Sequence, residues 1–255
     1  MQVKLEGRIA LVTGSGGALG RSHAILLAQC GADVVVHDIR PAAVAETAAL
    51  VREQGVRAQE MVCDIRDTGG LKAAISQAAG ALGTIDILVN NAGVFGAPRL
   101  FEEIDEQTYD EMYEVHVRGA FFATQAVVPA MKAQRYGKIV NISSVAAMGG
   151  SPFGVQCHYA AAKSALTGLA HSWARELAPY NIMVNAVAPG FVPTPLTESR
   201  NTPEGLKEMT DLVPLGRLGE PMDVSYAVAW LASPESDFVT GQVISPNGGH
   251  VVVGI

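Results

Sequence analysis

The chain has 255 residues, 49% of them hydrophobic and 17% charged, with 18 basic against 25 acidic residues and a formal net charge of −7. That balance is globular and excludes a disordered chain, and the acidic excess speaks against a nucleic-acid surface. The length is enough for one α/β domain with a large core. Cys30, Cys63 and Cys157 are scattered, with no CxxC and no histidine at ligand spacing, so reduced thiols and no metal site are expected. No apolar run is long enough to span a membrane, and no membrane partner is expected. The first residues, MQVKLEGRIALVTG, read straight into a strand without the apolar stretch and cleavage site of a signal peptide, so the expected location is cytoplasmic.

Short β-branched runs recur at Ile9–Val12, Val34–Val36, Ile85–Val89, Ile139–Ile142, Val184–Val187 and Val243–Ile244, with Gln59–Cys63 as a weaker run. Each reads as a buried strand. Alanine-rich segments of helical length separate them, at 19–30, 42–54, 69–82, 106–134, 158–178 and 222–232. Strand and helix in alternation predict a parallel sheet covered on both faces. No linker or internal repeat divides the chain, so 1–255 is read as a single doubly wound domain, with ligands at the carboxyl ends of its strands. The longest unpatterned segment, 188–215, holds Pro189, Pro193, Pro195, Pro203 and Pro214. A loop of that length in a compact domain is usually functional.

The segment Thr13-Gly-Ser-Gly-Gly-Ala-Leu-Gly20 follows the first strand and opens the first helix. Glycines there allow close approach of a pyrophosphate, and the helix N-terminus offers N–H donors. The G-x-G-x-x-G pattern fails, since its third position falls on Leu19. Asp38 ends the second strand, 18 residues after Gly20. A carboxylate there accepts from ribose hydroxyls and repels a 2′-phosphate, which predicts NAD over NADP; Arg40 is a counterweight. Tyr159 and Lys163 stand one helical turn apart. A free tyrosine has a pKa of about 10, and a nearby ammonium favours its phenolate, so the pair can form a tuned acid/base.

Together the motifs TGSGGALG at 13–20, CDI at 63–65, NNAG at 90–93, ISS at 142–144, YAAAK at 159–163, APGFVPT at 188–194 and TGQVISPNGG at 240–249 resemble the short-chain dehydrogenase/reductase family over nearly the whole chain. The resemblance implies a Rossmann-like sheet of seven strands in the order 3-2-1-4-5-6-7. It implies Tyr159 as the acid/base at the substrate oxygen. Lys163 would lower the tyrosine pKa and bond the nicotinamide ribose, and Ser144 would polarise the carbonyl. It further implies cofactor contacts from Gly14, Ser15, Gly17, Leu19, Gly20 and Asp38, and from Asp64 and Ile65 at the adenine. Asn91, Ala92 and Gly93 would lie along the adenosine ribose, and Pro189, Gly190, Val192 and Thr194 at the carboxamide.

Two positions depart from the family pattern. Ala18 replaces the middle glycine of the turn, a small intrusion of no expected consequence. His116 stands where the family usually has an asparagine that kinks the long helix and holds a relay water near the lysine. A histidine can either take over that relay or be a packed structural residue.

By the same resemblance, substrate lies between 94–100, 145–158 and 191–213, which offer Val94, Phe95, Val145, Met148, Phe153, Val155, Phe191, Leu196 and Leu206. The central segment has no Arg or Lys, which favours a neutral alcohol or ketone. His158 is read as structural or pocket-lining, and His23, His37, His171 and His250 as surface or core. Phe121, Phe122, Val127 and Val128 on one long helix, and Leu166, Leu169, Trp173 and Leu177 on another, exceed what one sheet face covers; the resemblance implies that these helices pair with another subunit, and a homotetramer is expected. The leading function is an NAD-dependent oxidoreductase acting on a neutral secondary alcohol or ketone. An NADPH-dependent 3-oxoacyl thioester reductase is the alternative, and a non-catalytic dinucleotide-binding sensor or scaffold the third reading.

Overall fold

The structure, a computed structural model, describes residues 3–194 and 202–252. Seven parallel strands form one sheet in the order β3-β2-β1-β4-β5-β6-β7. They are β1 (Ile9–Val12), β2 (Asp33–Asp38), β3 (Ala58–Val62), β4 (Ile87–Asn90), β5 (Gly137–Ile142), β6 (Ile182–Val187) and β7 (Val243–Ile244). The expected order and every expected strand are present, including the weak run at 59–63, although β4 begins at Ile87 rather than Ile85. The helices are α1 (Ala18–Gln29), α2 (Pro41–Arg52), α3 (Thr68–Leu82), α4 (Glu106–Tyr113), α5 (Gly119–Gln134), the single turn α6 (Ala146–Gly149), α7 (Cys157–Leu177), α8 (Pro203–Asp211) and α9 (Pro221–Leu231).

Strand alternation sorts the core into two layers. Val12, Val34, Val36, Val89 and Val140 face α1, α2 and α9, where Leu27, Val51 and Val228 meet them. Leu11, Val35, Leu88, Ile139 and Val184 face α3, α5 and α7, where Ile75, Met131 and Trp173 close the other side. Each fully buried valine or leucine contributes roughly 1.5–3 kcal/mol. Local signals set the helix starts. Pro41 opens α2 at its first turn, Asp67 caps α3 by accepting from Gly70 N at 3.0 Å, and Asp105 caps α4 by accepting from Thr108 N at 2.8 Å.

The segment expected as one helix over 106–134 is interrupted. A π-turn spans Glu114–Arg118 between α4 and α5 and carries His116. Gly119, just after it, lies so close to Ile65 that a Cβ would sit 2.7 Å from Ile65 Cγ1. The unpatterned stretch 188–215 contains a helix, α8, capped by Thr202, and Pro203 and Pro214 bracket it. The apolar faces of α5 and α7 are covered more fully than the sequence suggests. Val127, Leu166, Trp173 and Leu177 are buried, and Phe122, Val128 and Leu169 pack against the same cluster. Phe121, 38% exposed, is what that face leaves open. No helix among the described residues is long and apolar enough to cross a membrane.

Candidate active site

The glycine turn is fastened on two sides at the carboxyl ends of β1, β2 and β4. Thr13 Oγ1 accepts from Asn91 N and Ala92 N, each at 3.0 Å, and Asn91 Nδ2 donates back to Thr13 O at 2.9 Å. On the other side, Ser15 N donates to His37 O at 2.7 Å and Ser15 Oγ accepts from His37 N at 2.9 Å. Gly14 stands at φ +67°, and a Cβ there would lie 2.8 Å from Ala92 Cα. A Cβ on Gly20 would lie 2.5 Å from Gly14 O, so α1 starts as close to the turn as a backbone allows. Gly17 caps α1 without any side-chain bond, and the first turn holds no acid. The first N–H groups of α1 therefore point outward beside Gly17, Ala18 and Leu19, which fits a pyrophosphate. Ala18 opens this helix without displacing the turn.

His37, read as an ordinary surface or core residue, is part of this turn. Its Nδ1 accepts from Gly14 N at 3.3 Å, and its Nε2 donates to Cys63 O at 3.2 Å. That pairing fixes one neutral tautomer, and burial lowers its pKa accordingly. Its neighbour Asp38, 6% exposed, accepts from Gly16 N at 3.2 Å and from Arg40 Nε at 3.0 Å. Burial pushes the Asp38 carboxyl up, but the Arg40 hydrogen bonds and charge outweigh it and hold the group below the usual carboxylate range. Arg40 thus lies across the carboxylate expected to meet a ribose, with its own side chain 61% exposed. Asp64 repeats the arrangement, gripped by Arg66 at 2.7 Å. Ile65 is 7% exposed and packs against Gly119.

Ser144, Tyr159 and Lys163 converge past the end of β5. Ser144 hydrogen-bonds the Tyr159 hydroxyl and also accepts from Ala146 N at 3.2 Å. Ser143 is committed elsewhere, donating to Lys163 O at 2.8 Å, which separates the two serines by role. Lys163 Nζ donates to Ile142 O at 2.8 Å and stands 5.7 Å from the Tyr159 ring centroid. Burial pulls the Lys163 pKa down to about 7. Burial also raises the Tyr159 pKa, with the Ser144 bond working against it. The lowering expected from Lys163 is not reached in this arrangement. The ammonium is set off from the ring, and its own charge is weakened by the desolvation that holds it near 7. As it stands, the tyrosine keeps its proton at neutral pH.

His116 is 2% exposed and lies edge-on to Tyr159, ring centroids 5.6 Å apart. Its Nε2 donates to Val94 O at 2.7 Å, and its Cε1 edge fills the space where a Cβ on Gly93 would sit. Nδ1 is then the bare nitrogen, buried and without a hydrogen-bond partner. Burial first, and the Lys163 charge second, hold the His116 pKa well below its ordinary value. The ring is neutral and holds the turn at 93–94, with Val94 N also 3.2 Å from Nε2. Neighbouring His158 is buried with neither ring nitrogen bonded, consistent with a lining role.

The last expected contacts follow β6. Pro189 O accepts from Val145 N at 3.0 Å, and Gly190 N donates to Pro246 O at 3.1 Å. A Cβ on Gly190 would lie 2.8 Å from Asn247 Cα. Val192 packs against the core layer shared with α1 and α9, and Thr194 is half-buried beside it. On the substrate side, Phe153 and Phe191 are 6.0 Å apart and Phe191 lies 4.6 Å from His250. His250, read as surface or core, lies against Phe191; Thr13, the first residue of the glycine motif, and Gln156, within 145–158 and three residues before Tyr159, are not singled out in the sequence as candidate site residues. Leu196 lies outside the described residues.

Comparison with known proteins agrees with this geometry. A family model described as enoyl-(acyl carrier protein) reductase matches residues 15–250. A curated 3-oxoacyl-[acyl-carrier-protein] reductase, FabG, of Thermotoga maritima is 41% identical over 98% of this chain and its own full length. The protein of the same name from Aquifex aeolicus is 38% identical over 98% of this chain and 99% of its own. A solved 7α-hydroxysteroid dehydrogenase, complexed with NADH and 7-oxo glycochenodeoxycholic acid, superposes with a TM-score of 0.92 at 35% identity, covering 97% of this chain and 96% of its own. The chain belongs to the short-chain dehydrogenase/reductase family, oxidoreductases that use a nicotinamide cofactor on CH–OH groups.

Proposed function

We propose that the protein is an NAD-dependent oxidoreductase of a neutral secondary alcohol or ketone. The observation that carries the reading is the convergence of Ser144, Tyr159 and Lys163 past β5, with Asp38 at the end of β2 on the same edge of the sheet. The cofactor, when bound, supplies the hydride chemistry. The first turn of α1, with Gly14, Ser15, Gly17, Leu19 and Gly20, would hold its pyrophosphate. Asp38 and Asp64 would meet the adenosine, with Asn91, Ala92 and Gly93 along its ribose. Lys163 would bond the nicotinamide ribose, and the backbone of Pro189, Gly190, Val192 and Thr194 would lie at the carboxamide.

The chain's own residues then manage the proton. The Tyr159 hydroxyl gives its proton to the oxygen that gains charge in reduction and takes it back in oxidation. Ser144 is placed to donate to the same oxygen. Lys163 supplies positive charge behind the ring, and His116 holds the turn in front of it. We also read the assembly as a homotetramer, with the exposed edge of Phe121 at a subunit contact.

The named relatives favour a second reading, reduction of a 3-oxoacyl thioester with NADPH. Arg40 gives it a physical basis, since a 2′-phosphate could draw the guanidinium off Asp38. Fluorescence titration with NADH and NADPH, followed by turnover on ketones, secondary alcohols and 3-oxoacyl thioesters, separates the two. Tight NADH and weak NADPH support the first reading; the reverse, with thioester turnover, replaces it with the second. Tyr159→Phe should lower kcat by roughly 10²–10⁴-fold while retaining cofactor. An equally active variant would sink the proton-transfer role, and cofactor binding without turnover on any series would leave a dinucleotide-binding sensor.

A further inference from the structure

Gln156 immediately precedes the helix that carries Tyr159 and is 4% exposed. Its backbone stands at φ 60° and ψ 45°, left-handed geometry that disfavours a residue with a long side chain. Such a conformation persists where the surroundings over-determine it. Here its N–H, its carbonyl and its side-chain amide nitrogen are all bonded. Its N–H donates to Arg99 O at 3.0 Å, and its carbonyl accepts from Tyr159 N at 3.1 Å and Ala160 N at 3.2 Å. Its side-chain amide donates to Phe95 O. One residue thus ties both ends of the 95–99 segment to the first turn of α7. At the adjoining position His116 holds Val94 O.

The consequence falls on Phe95. Its ring stands edge-on to Tyr159, centroids 5.1 Å apart at 77°. Clipped by its own carbonyl, it forms an apolar wall beside the group that would meet the reacting oxygen. We propose that Gln156 is a positioning residue and that Phe95, which it holds, is a specificity-determining residue limiting the substituent on that side of the reacting carbon. The proposal rests on the reading of Tyr159 as the acid/base.

The test uses the full-length protein and two homologous series, methyl ketones and 3-oxoacyl thioesters, each graded in chain length. The readout is the ratio of kcat/KM for long against short members. A wall of this kind discriminates by about 10–200-fold per methylene, so Phe95→Ala should raise the ratio at least tenfold. Gln156→Gly keeps a residue suited to positive φ, protecting the helix start, while removing the clip. It should move the ratio in the same direction, through the KM of the longer members. Combining the two changes should add nothing beyond Phe95→Ala. A Gln156 that merely stabilises the fold would lower kcat/KM for every member by one factor and leave the ratio alone, which overturns its positioning role. An unchanged ratio in Phe95→Ala overturns the wall. Lack of wild-type turnover on both series overturns the reading of the site and this proposal with it, an outcome distinct from turnover with an unmoved ratio.

Discussion

At the cofactor end, Thr13, Ser15, His37 and Asn91 bind three strand ends and the glycine turn into one lattice of buried and part-buried hydrogen bonds. At the substrate end, the segments around Phe95, Phe153 and Phe191 meet through rings, and few backbone bonds cross between them. The first region recognises a ligand by backbone N–H groups and close glycine approach, so its geometry has little freedom. The second recognises by apolar surface, which tolerates exchange of side chains as long as a wall remains. The difference teaches that damage should spread at the cofactor end and stay local at the substrate end.

Thr13→Val is the sharpest way to break that comparison, because it keeps the shape and removes one oxygen. Thr13 is fully buried, and its hydroxyl accepts from Ala92 N at 3.0 Å. Leaving buried donors unpaired costs about 1–3 kcal/mol each. The expected loss is about 2–3 kcal/mol in urea unfolding, with cofactor affinity at least tenfold weaker because the 13–20 and 91–93 turns separate together. A stability loss without weaker cofactor binding would show the two turns to be independent.

The same contrast explains what the sequence makes legible. A parallel sheet covered on both faces follows from strand-helix alternation, and Gly14 and Gly20 from a glycine-rich turn between a strand and a helix, whereas the strand order is legible through the family resemblance alone. Tyr159 and Lys163 are legible because they stand one helical turn apart, and Ser144 because the family resemblance places it with them. The interruption at His116 is anticipated only by the family resemblance, since a π-turn has no composition of its own; there the imidazole packs against Gly93 and Val94. His37 and Gln156 escape for a related reason. Each acts through backbone groups distant in the chain, Cys63 for one and Phe95 and Arg99 for the other.

Acid probes both regions. His23 on α1 is fully buried, bonded to Ser225 at 2.7 Å through Nδ1, with its pKa pulled down to about 3 by burial. The unfolded chain takes up that proton near pH 6.5. Between those values the unfolded state binds more protons, so stability is full above pH 6.5 and falls as the pH drops towards 3. From pH 7.5 to 5.0 the loss from His23 alone is about 2 kcal/mol. His23→Gln, which keeps a polar group near Ser225 but does not titrate, should flatten the stability profile by that amount. A profile of unchanged slope would assign acid lability to His116 and His158 at the substrate end, whose pKa values burial also lowers.

The smallest expected effect is at Phe153, which is 46% exposed and meets Phe191 across the substrate side. Truncating a half-exposed ring in a loop removes little buried area, so Phe153→Ala should change unfolding stability by less than about 0.5 kcal/mol. Cofactor affinity should stay within about twofold, because no bond of the glycine turn involves this loop. The KM for apolar ketones should rise severalfold, since the lost surface is what such a substrate would cover. If Phe153→Ala instead weakened cofactor binding as Thr13→Val does, the two ends would be one mechanical unit, and the looser construction of the substrate side would not be independent of the lattice beside it.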